Sequence, residues 1–151
     1  MLTKLIPPPV ALLIGIALAY ALAAGWPSAT LDWPWLHWLA WAFFITGGML
    51  MLAAVFSLWQ AHTTINPIHP ERSRHLVTSG IYRLSRNPIY LGDALLLAGV
   101  VSWFGHPAGL VVIGAFVWFL DRLQVRGEER ALTQRFGAGY SAYRARTRRW
   151  I

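Results

Sequence analysis

His75 to Gly92 reads HLVTSGIYRLSRNPIYLG, a stretch that sets Tyr82, Arg83, Arg86, Asn87 and Tyr90 between long apolar runs. Phenols hydrogen-bond a polar ligand or stack on a heterocycle, and two guanidiniums three residues apart can hold an anion. Asn87-Pro88 reads as a helix start. Asparagine is a good N-cap, and proline suits the first helical position because its missing N–H would have no partner there. A helix beginning at that point leaves free backbone amides and the positive end of its dipole facing the loop, a place suited to a carboxylate or phosphate. Helix capping together with arginines resting on lipid phosphates would use the same residues, and residue types alone leave the two readings balanced.

A second group with chemical potential is the pair Glu128 and Glu129, on an expected helix that runs to Phe136 and is stopped by Gly137. Adjacent residues on a helix point about 100° apart, so the two carboxylates cannot act as a facing dyad. One is expected to face a site while the other meets Arg122, Arg126 or Arg130 as a helical ion pair. Gly127 just before them costs about 1 kcal/mol in a helix interior, which close approach of a ligand or neighbouring helix would explain.

The elements that must position these groups are set by composition. The chain has 151 residues, 56% hydrophobic and 13% charged, with a mean hydropathy of +0.46. That is too apolar for an ordinary soluble domain and implies a single all-α integral membrane domain. Four apolar runs can be marked: Val10 to Trp26, Trp35 to Trp59, Ile89 to Gly105 and Pro107 to Leu120. At 1.5 Å per residue they reach about 25, 37, 25 and 21 Å, against a bilayer core of roughly 30 Å. The expected architecture is two N-terminal spans (1–60), a cytoplasmic loop carrying the motif (61–88), a helical hairpin turning at Gly105-His106-Pro107 (89–120), and a cytoplasmic or interfacial helical region (121–151). Phe136, Tyr140, Tyr143 and Thr147 recur at helical spacing among arginines, so the tail is expected on the membrane surface, where it can close over a ligand.

Charge orients these elements. The connection Gly25 to Pro34 and the hairpin turn carry no Lys or Arg, whereas Lys4, the 60–88 loop and eight arginines after Leu120 share the other side. Both termini and the loop should therefore face the cytoplasm, as expected for the plasma (inner) membrane of a cell. Lys4, an apolar stretch and Ala21-Leu22-Ala23 mimic a signal peptide, but a retained first span keeps the charge asymmetry consistent along the whole chain. The net charge of +7 points to anionic lipid headgroups and not nucleic acid, since the arginines flank apolar spans. No cysteine is present, which removes thiolate chemistry and zinc–thiolate sites. His62, His69 and His75 place no two imidazoles on one helical face in a metal-binding pattern, so no metal is expected. Asp93, one turn into the third run, is either functional or paired with Arg83 or Arg86 near the interface.

HLVTSGIYRLSRNPIYLG, then an apolar hairpin, then EERALTQRFGAGYSAYRARTRRWI, resembles the isoprenylcysteine carboxyl methyltransferase and phospholipid methyltransferase superfamily of integral membrane enzymes over the C-terminal half of the chain. The combination of xLVTxGxYRxxR(H/N)PxY, a glutamate pair and FGxxYxxY carries the resemblance. It implies S-adenosylmethionine as cofactor, in a cytoplasmic-side pocket lined by Arg74, His75, Leu76, Val77, Tyr82, Asn87, Pro88, Ile89, Tyr90 and Glu128. Two departures stand out. Many relatives have His-Pro where this chain has Asn87-Pro88. Gln124 stands where prenylcysteine enzymes place a substrate-carboxylate arginine, with Arg126 two positions on and about 200° round the helix.

The implied reaction is direct displacement on an activated methyl, which needs mostly alignment and exclusion of water. Candidate catalytic residues are Glu128, Glu129 and Arg126. Glu128 is also suited to pair with the cofactor's ammonium or accept from its ribose hydroxyls. If the acceptor is a protonated amine, a base is needed, and Glu128, Glu129 or His75 would supply it. The acceptor is expected to be hydrophobic or lipid-like, a carboxylate, thiol or amine reaching the pocket laterally from the membrane. Two other readings use the same residues: a membrane reductase, since sterol reductases resemble this chain in a similar Arg…Arg-(His/Asn)-Pro-x-Tyr element but use NADPH, and a non-catalytic membrane interaction protein.

Overall fold

The computed structural model describes residues 6–61 and 76–151, and every described element is helical. Helix α1 (Pro8–Gly25) and helix α2 (Pro34–Gln60) both open with proline at the first turn, where its missing N–H forfeits nothing. They match the first two apolar runs, and both are long and apolar enough to cross a membrane. Their surface pattern suits lipid. Trp38, Ile45, Met49, Leu52 and Phe56 of α2 are exposed, while its buried positions are Ala40, Gly47, Ala54 and Ser57. With no hydrophobic drive between helices in hydrocarbon, small residues at the contact let backbones approach closely, and large apolar ones are left to the lipid.

Helix α3 (Pro88–Phe104) is the shorter apolar helix that starts at the motif. It lies against α2 through glycine: a Cβ on Gly92 would stand 2.4 Å from Met51 Cγ and 2.9 Å from the Gly47 carbonyl oxygen. Its other side carries Tyr90 and Leu97 into a cluster with Ala11 of α1 and, further along the chain, Phe116, Leu120 and Val125. The hairpin turn falls where it was expected. Gly105 takes φ of 63°, and any Cβ there would meet the Leu31 carbonyl oxygen at 2.3 Å.

Helix α4 (Gly109–Phe119) is shorter than the fourth apolar run, because Pro107 and Ala108 are used in the turn, where the Gly109 amide donates to the His106 carbonyl. The run also does not end as a separate element at Leu120. A wide π-type segment, Leu120–Val125, carries the helical path directly into α5 (Arg126–Phe136). Such insertions reset the face that the following helix presents. Gly137, at φ 51°, breaks the path as expected, and α6 (Ala138–Arg146) turns back. The tail is more enclosed than a surface helix: Tyr140, Tyr143 and Thr147 are all buried, and Trp150 packs on the core cluster.

Candidate active site

The motif and the glutamate pair come together across 38 residues of chain. The Tyr90 hydroxyl, in the first turn of α3, donates a hydrogen bond to Glu128 Oε1 on α5. Tyr82 belongs to a short 3-10 turn, Gly80–Arg83, close enough to feel the same carboxylate. Burial first and the Glu128 charge second push the Tyr82 phenol above its ordinary range. Burial also lifts Glu128 to about 7; the Tyr90 hydrogen bond works against that shift and the neighbouring Glu129 charge adds to it. A carboxylate held this way gains most from a cationic partner.

Glu129 points elsewhere, as the 100° helical offset requires. It accepts from Arg86 Nη2 at 2.9 Å and from Arg149 Nη2 at 2.7 Å and Nε at 3.1 Å. Arg149 also reaches Asp121 at 2.9 Å. The expectation of one glutamate in an ion pair therefore holds, but the partners differ from Arg122, Arg126 and Arg130. Tertiary folding brings in one arginine from the motif and another from the tail, while Arg126 turns to Asp121 at 3.3 Å with its side chain 45% exposed. The hydrogen bond to the Glu129 carboxylate raises the already high pKa of Arg149.

The tail clamps the motif by its backbone. Asn87 occupies the position before α3, but its side chain does not cap the helix. Asn87 Nδ2 instead donates to the Arg149 carbonyl at 3.0 Å, while the Asn87 amide is met by Ser85 Oγ at 3.1 Å. Ser85 Oγ also reaches the Arg149 carbonyl, and the Arg86 amide donates to the Arg148 carbonyl at 3.1 Å. The Tyr143 hydroxyl donates to the Tyr82 carbonyl at 2.7 Å, which explains the second tyrosine of FGxxYxxY. The aromatic repeat of the tail reads from sequence as a membrane-surface face, whereas the structure turns Tyr143 onto the motif and buries Tyr140 and Thr147.

Gln124 is buried in the π-type segment and its Nε2 donates to the Ile6 carbonyl at 2.9 Å, tying the entry of α1 to the end of α4. Of the other expected cofactor residues, Pro88 is fully enclosed, and Leu76, Val77 and Ile89 are half-buried beside the motif. Arg74, His75, His62 and His69 lie outside the described residues. Asp93 is buried one turn past Tyr90 and, among the described residues, pairs with neither Arg83 nor Arg86. On the Glu129 side, a cavity of about 340 Å³ is lined by Arg122, Arg126, Arg130, Arg144 and Arg149 with Thr133 and Glu129, a setting for anions and not for the cation that Glu128 favours.

Comparison of the sequence with known proteins gives the family. The sequence profile of the phospholipid methyltransferase family matches residues 35–139. Protein-S-isoprenylcysteine O-methyltransferase A of Arabidopsis thaliana is 31% identical over 99 residues, covering 66% of this chain and 50% of the relative. Phosphatidyl-N-methylethanolamine N-methyltransferase of Saccharomyces cerevisiae is 33% identical over 88 residues, covering 58% and 42%. The Mus musculus protein-S-isoprenylcysteine O-methyltransferase is 29% identical over 145 residues, covering 89% and 51%. The chain thus spans about half the length of these curated relatives. No solved structure matches it.

Proposed function

The chain belongs to the phospholipid methyltransferase family, and from that premise we propose that it is a membrane-embedded methyltransferase that uses S-adenosylmethionine to methylate a hydrophobic or lipid-like acceptor. The observation that carries the reading is the Tyr90–Glu128 contact, which joins the motif to the glutamate pair at one sheltered carboxylate. The residues present fit the cofactor: it is a cation with an ammonium group and ribose hydroxyls, and Glu128 is an acceptor whose ionised form lacks a cationic partner among the described residues.

When bound, the cofactor supplies a methyl group already activated on a positive sulfur, so the protein's work is alignment and exclusion of water. Glu128 holds the cationic end, and Tyr90 fixes the carboxylate's direction. Tyr82, the Asn87-Pro88-Ile89 turn, Leu76 and Val77 form the surrounding wall; Arg74 and His75, assigned to it by the family resemblance, lie outside the described residues. Glu129 acts as a positioning residue, holding Arg86 and Arg149 so that motif, α5 and tail keep one arrangement. Buried Tyr140, Tyr143 and Thr147 keep the tail closed against the loop. Arg126, at the rim beside the basic cavity, is placed to meet an anionic group of the acceptor or of a neighbouring lipid.

In the same reading α1, α2 and the α3–α4 hairpin are four membrane-spanning elements, with both termini and the motif on the cytoplasmic side of the plasma membrane. The arginine asymmetry of the sequence supports this orientation. Calorimetric titration of the detergent-purified chain with S-adenosylhomocysteine, and separately with NADPH, tests the function. Binding of S-adenosylhomocysteine with no heat from NADPH is expected. NADPH binding alone, or binding of neither, would overturn the reading.

A further inference from the structure

The cavity on the Glu129 side enters the reading above only through Arg126 at its rim, yet its guanidiniums outnumber the carboxylates they meet. Arg149 is held by Glu129 and Asp121, and Arg126 by Asp121. Arg122, Arg130 and Arg144 form no ion pair among the described residues, and Arg130 only donates its Nε to the Arg126 carbonyl at 3.2 Å. Arg122, Arg126 and Arg130 follow at four-residue spacing along one face of the π-type segment and α5, and Arg144 comes to them from α6. Like charges converging on one concave surface repel. An anion with several oxygens relieves that repulsion and accepts paired N–H donors from each guanidinium.

The position of the cavity selects the anion. Arg122 stands less than one turn past Phe119, the last residue of apolar α4. On the same face of α4, Val111 and Trp118 are exposed, and so are Gly114 and Ala115 between them, with open space beside Gly114. Residues 111, 115, 118 and 122 recur at helical spacing, so an apolar furrow with a small-residue floor runs along α4 to the arginines. An acyl chain suits the furrow and a phosphate suits its basic end. At about 340 Å³ the cavity is at the small end of ligand sites and takes a headgroup. A choline or ethanolamine headgroup would place an ammonium among guanidiniums, whereas an uncharged polyol would not. The cavity is also separate from Glu128, which does not line it and points about 100° away from Glu129.

We propose that this cavity binds the phosphate of an anionic phospholipid of the phosphatidylglycerol class, which is held there and not methylated. The inference rests on the membrane-spanning reading of α4 and is independent of methyl transfer. Arg122 holds the phosphate from the π-type segment, Arg130 from α5 and Arg144 from α6, so the lipid ties the tail to the helix it closes against. Arg149 lines the same cavity and holds Glu129. An occupied cavity therefore reinforces that lock, and a ligand that binds only the folded chain raises its stability.

The test follows the thermal midpoint of the detergent-purified full chain with dihexanoyl phosphatidylglycerol, dihexanoyl phosphatidylcholine or glycerol phosphate. Phosphatidylglycerol at a concentration roughly tenfold above its Kd should raise the wild-type midpoint by about 3–6 °C, and the other two by less than about 1 °C. The double variant Arg122→Gln, Arg144→Gln should lose this response while its midpoint in phosphatidylcholine stays within about 2 °C of wild type. Arg122→Gln alone should lose at least about half of it, which keeps the test readable if the double variant is unstable. The control Arg146→Gln, Arg148→Gln removes the same charge from exposed positions outside the cavity and should respond as wild type does. An equal rise with phosphatidylcholine, a response retained without Arg122 and Arg144, or one lost equally in the control would overturn the proposal. An equal rise with glycerol phosphate would overturn the lipid as its source. Failure of the chain to float with phosphatidylcholine vesicles would overturn the membrane-spanning reading instead.

Discussion

Glu128 and Glu129 are neighbours in sequence with opposite surroundings. Glu129 is enclosed by two guanidiniums from distant parts of the chain, and its charge is balanced where it sits. Glu128 meets one neutral phenol, and burial lifts its pKa to about 7. The difference teaches which carboxylate builds the structure and which remains open to a ligand. A satisfied buried ion pair is a device for holding elements in register, whereas a sheltered and unbalanced carboxylate is available for chemistry. The helical offset of about 100° makes the division possible, and the arginines on either side of the pair decide which residue takes which part.

The comparison breaks most readily at Glu129. Replacing it with alanine leaves Arg86, whose side chain is 9% exposed, without its counter-charge. Loss of one member of such a pair costs about 3–5 kcal/mol, so the thermal midpoint of the Glu129→Ala protein should fall by roughly 10 °C. A midpoint within about 2 °C of wild type would show that the lock does not hold the fold.

Glu128→Gln should do the reverse. A hydrogen bond or ion pair to a charged group is worth about 1.5–3 kcal/mol, so calorimetric affinity for S-adenosylhomocysteine should drop about 10- to 100-fold. The thermal midpoint should not fall, since no buried cation is orphaned. Equal affinity in wild type and variant would remove Glu128 from the site.

The pH responses of the two residues sharpen the contrast. Glu128 has an ordinary value of 4.5 that the fold raises to about 7. Between those values the folded chain keeps a proton that the unfolded chain has released. Its contribution to stability is therefore fully present below about 4.5 and is lost as pH rises through about 7. Cation binding runs the other way, because the ionised carboxylate is required: affinity for S-adenosylhomocysteine should rise through about pH 7, with Tyr82, Tyr90 and Glu129 as the groups around it. In Glu128→Gln both dependences should flatten. A persistent rise in affinity across this range would assign the titration to another group.

Smaller effects test the borders of the two regions. Asn87→Ala removes the bond to the Arg149 carbonyl and should lower stability by about 1 kcal/mol, read as a shift in denaturation midpoint. Arg126→Gln loses an exposed contact with Asp121 and should change stability by less than about 0.5 kcal/mol. A large loss of stability there would extend the structural lock to the rim of the basic cavity.

Much of this was legible from residues alone. Apolar runs marked α1, α2 and α3 to within a few residues, because length without charge is a property of the local chain. Gly105 and Gly137 announced their breaks, since a left-handed backbone favours glycine wherever it occurs. The end of α4 was less readable. Hydropathy falls at Asp121, but backbone hydrogen bonding continues through a π-type segment into polar α5, so loss of apolar character did not mean loss of helix. Asn87-Pro88 gave the right helix start for a partly wrong reason: the proline acts as expected, while the asparagine side chain is drawn to the tail.

The sequence by itself determined a helical membrane protein, a polar motif at the mouth of a helix, and two glutamates that had to diverge. These follow from hydropathy, backbone stereochemistry and helical periodicity, all of which act over a few neighbouring residues. Only the tertiary structure decided that Tyr90 takes Glu128, that Arg86 and Arg149 take Glu129, and that Gln124 and Asn87 bind backbone carbonyls. Those choices join residues between 20 and 118 positions apart. Such pairings depend on which faces pack when α3, α5 and the tail close together, and a local pattern carries no record of that.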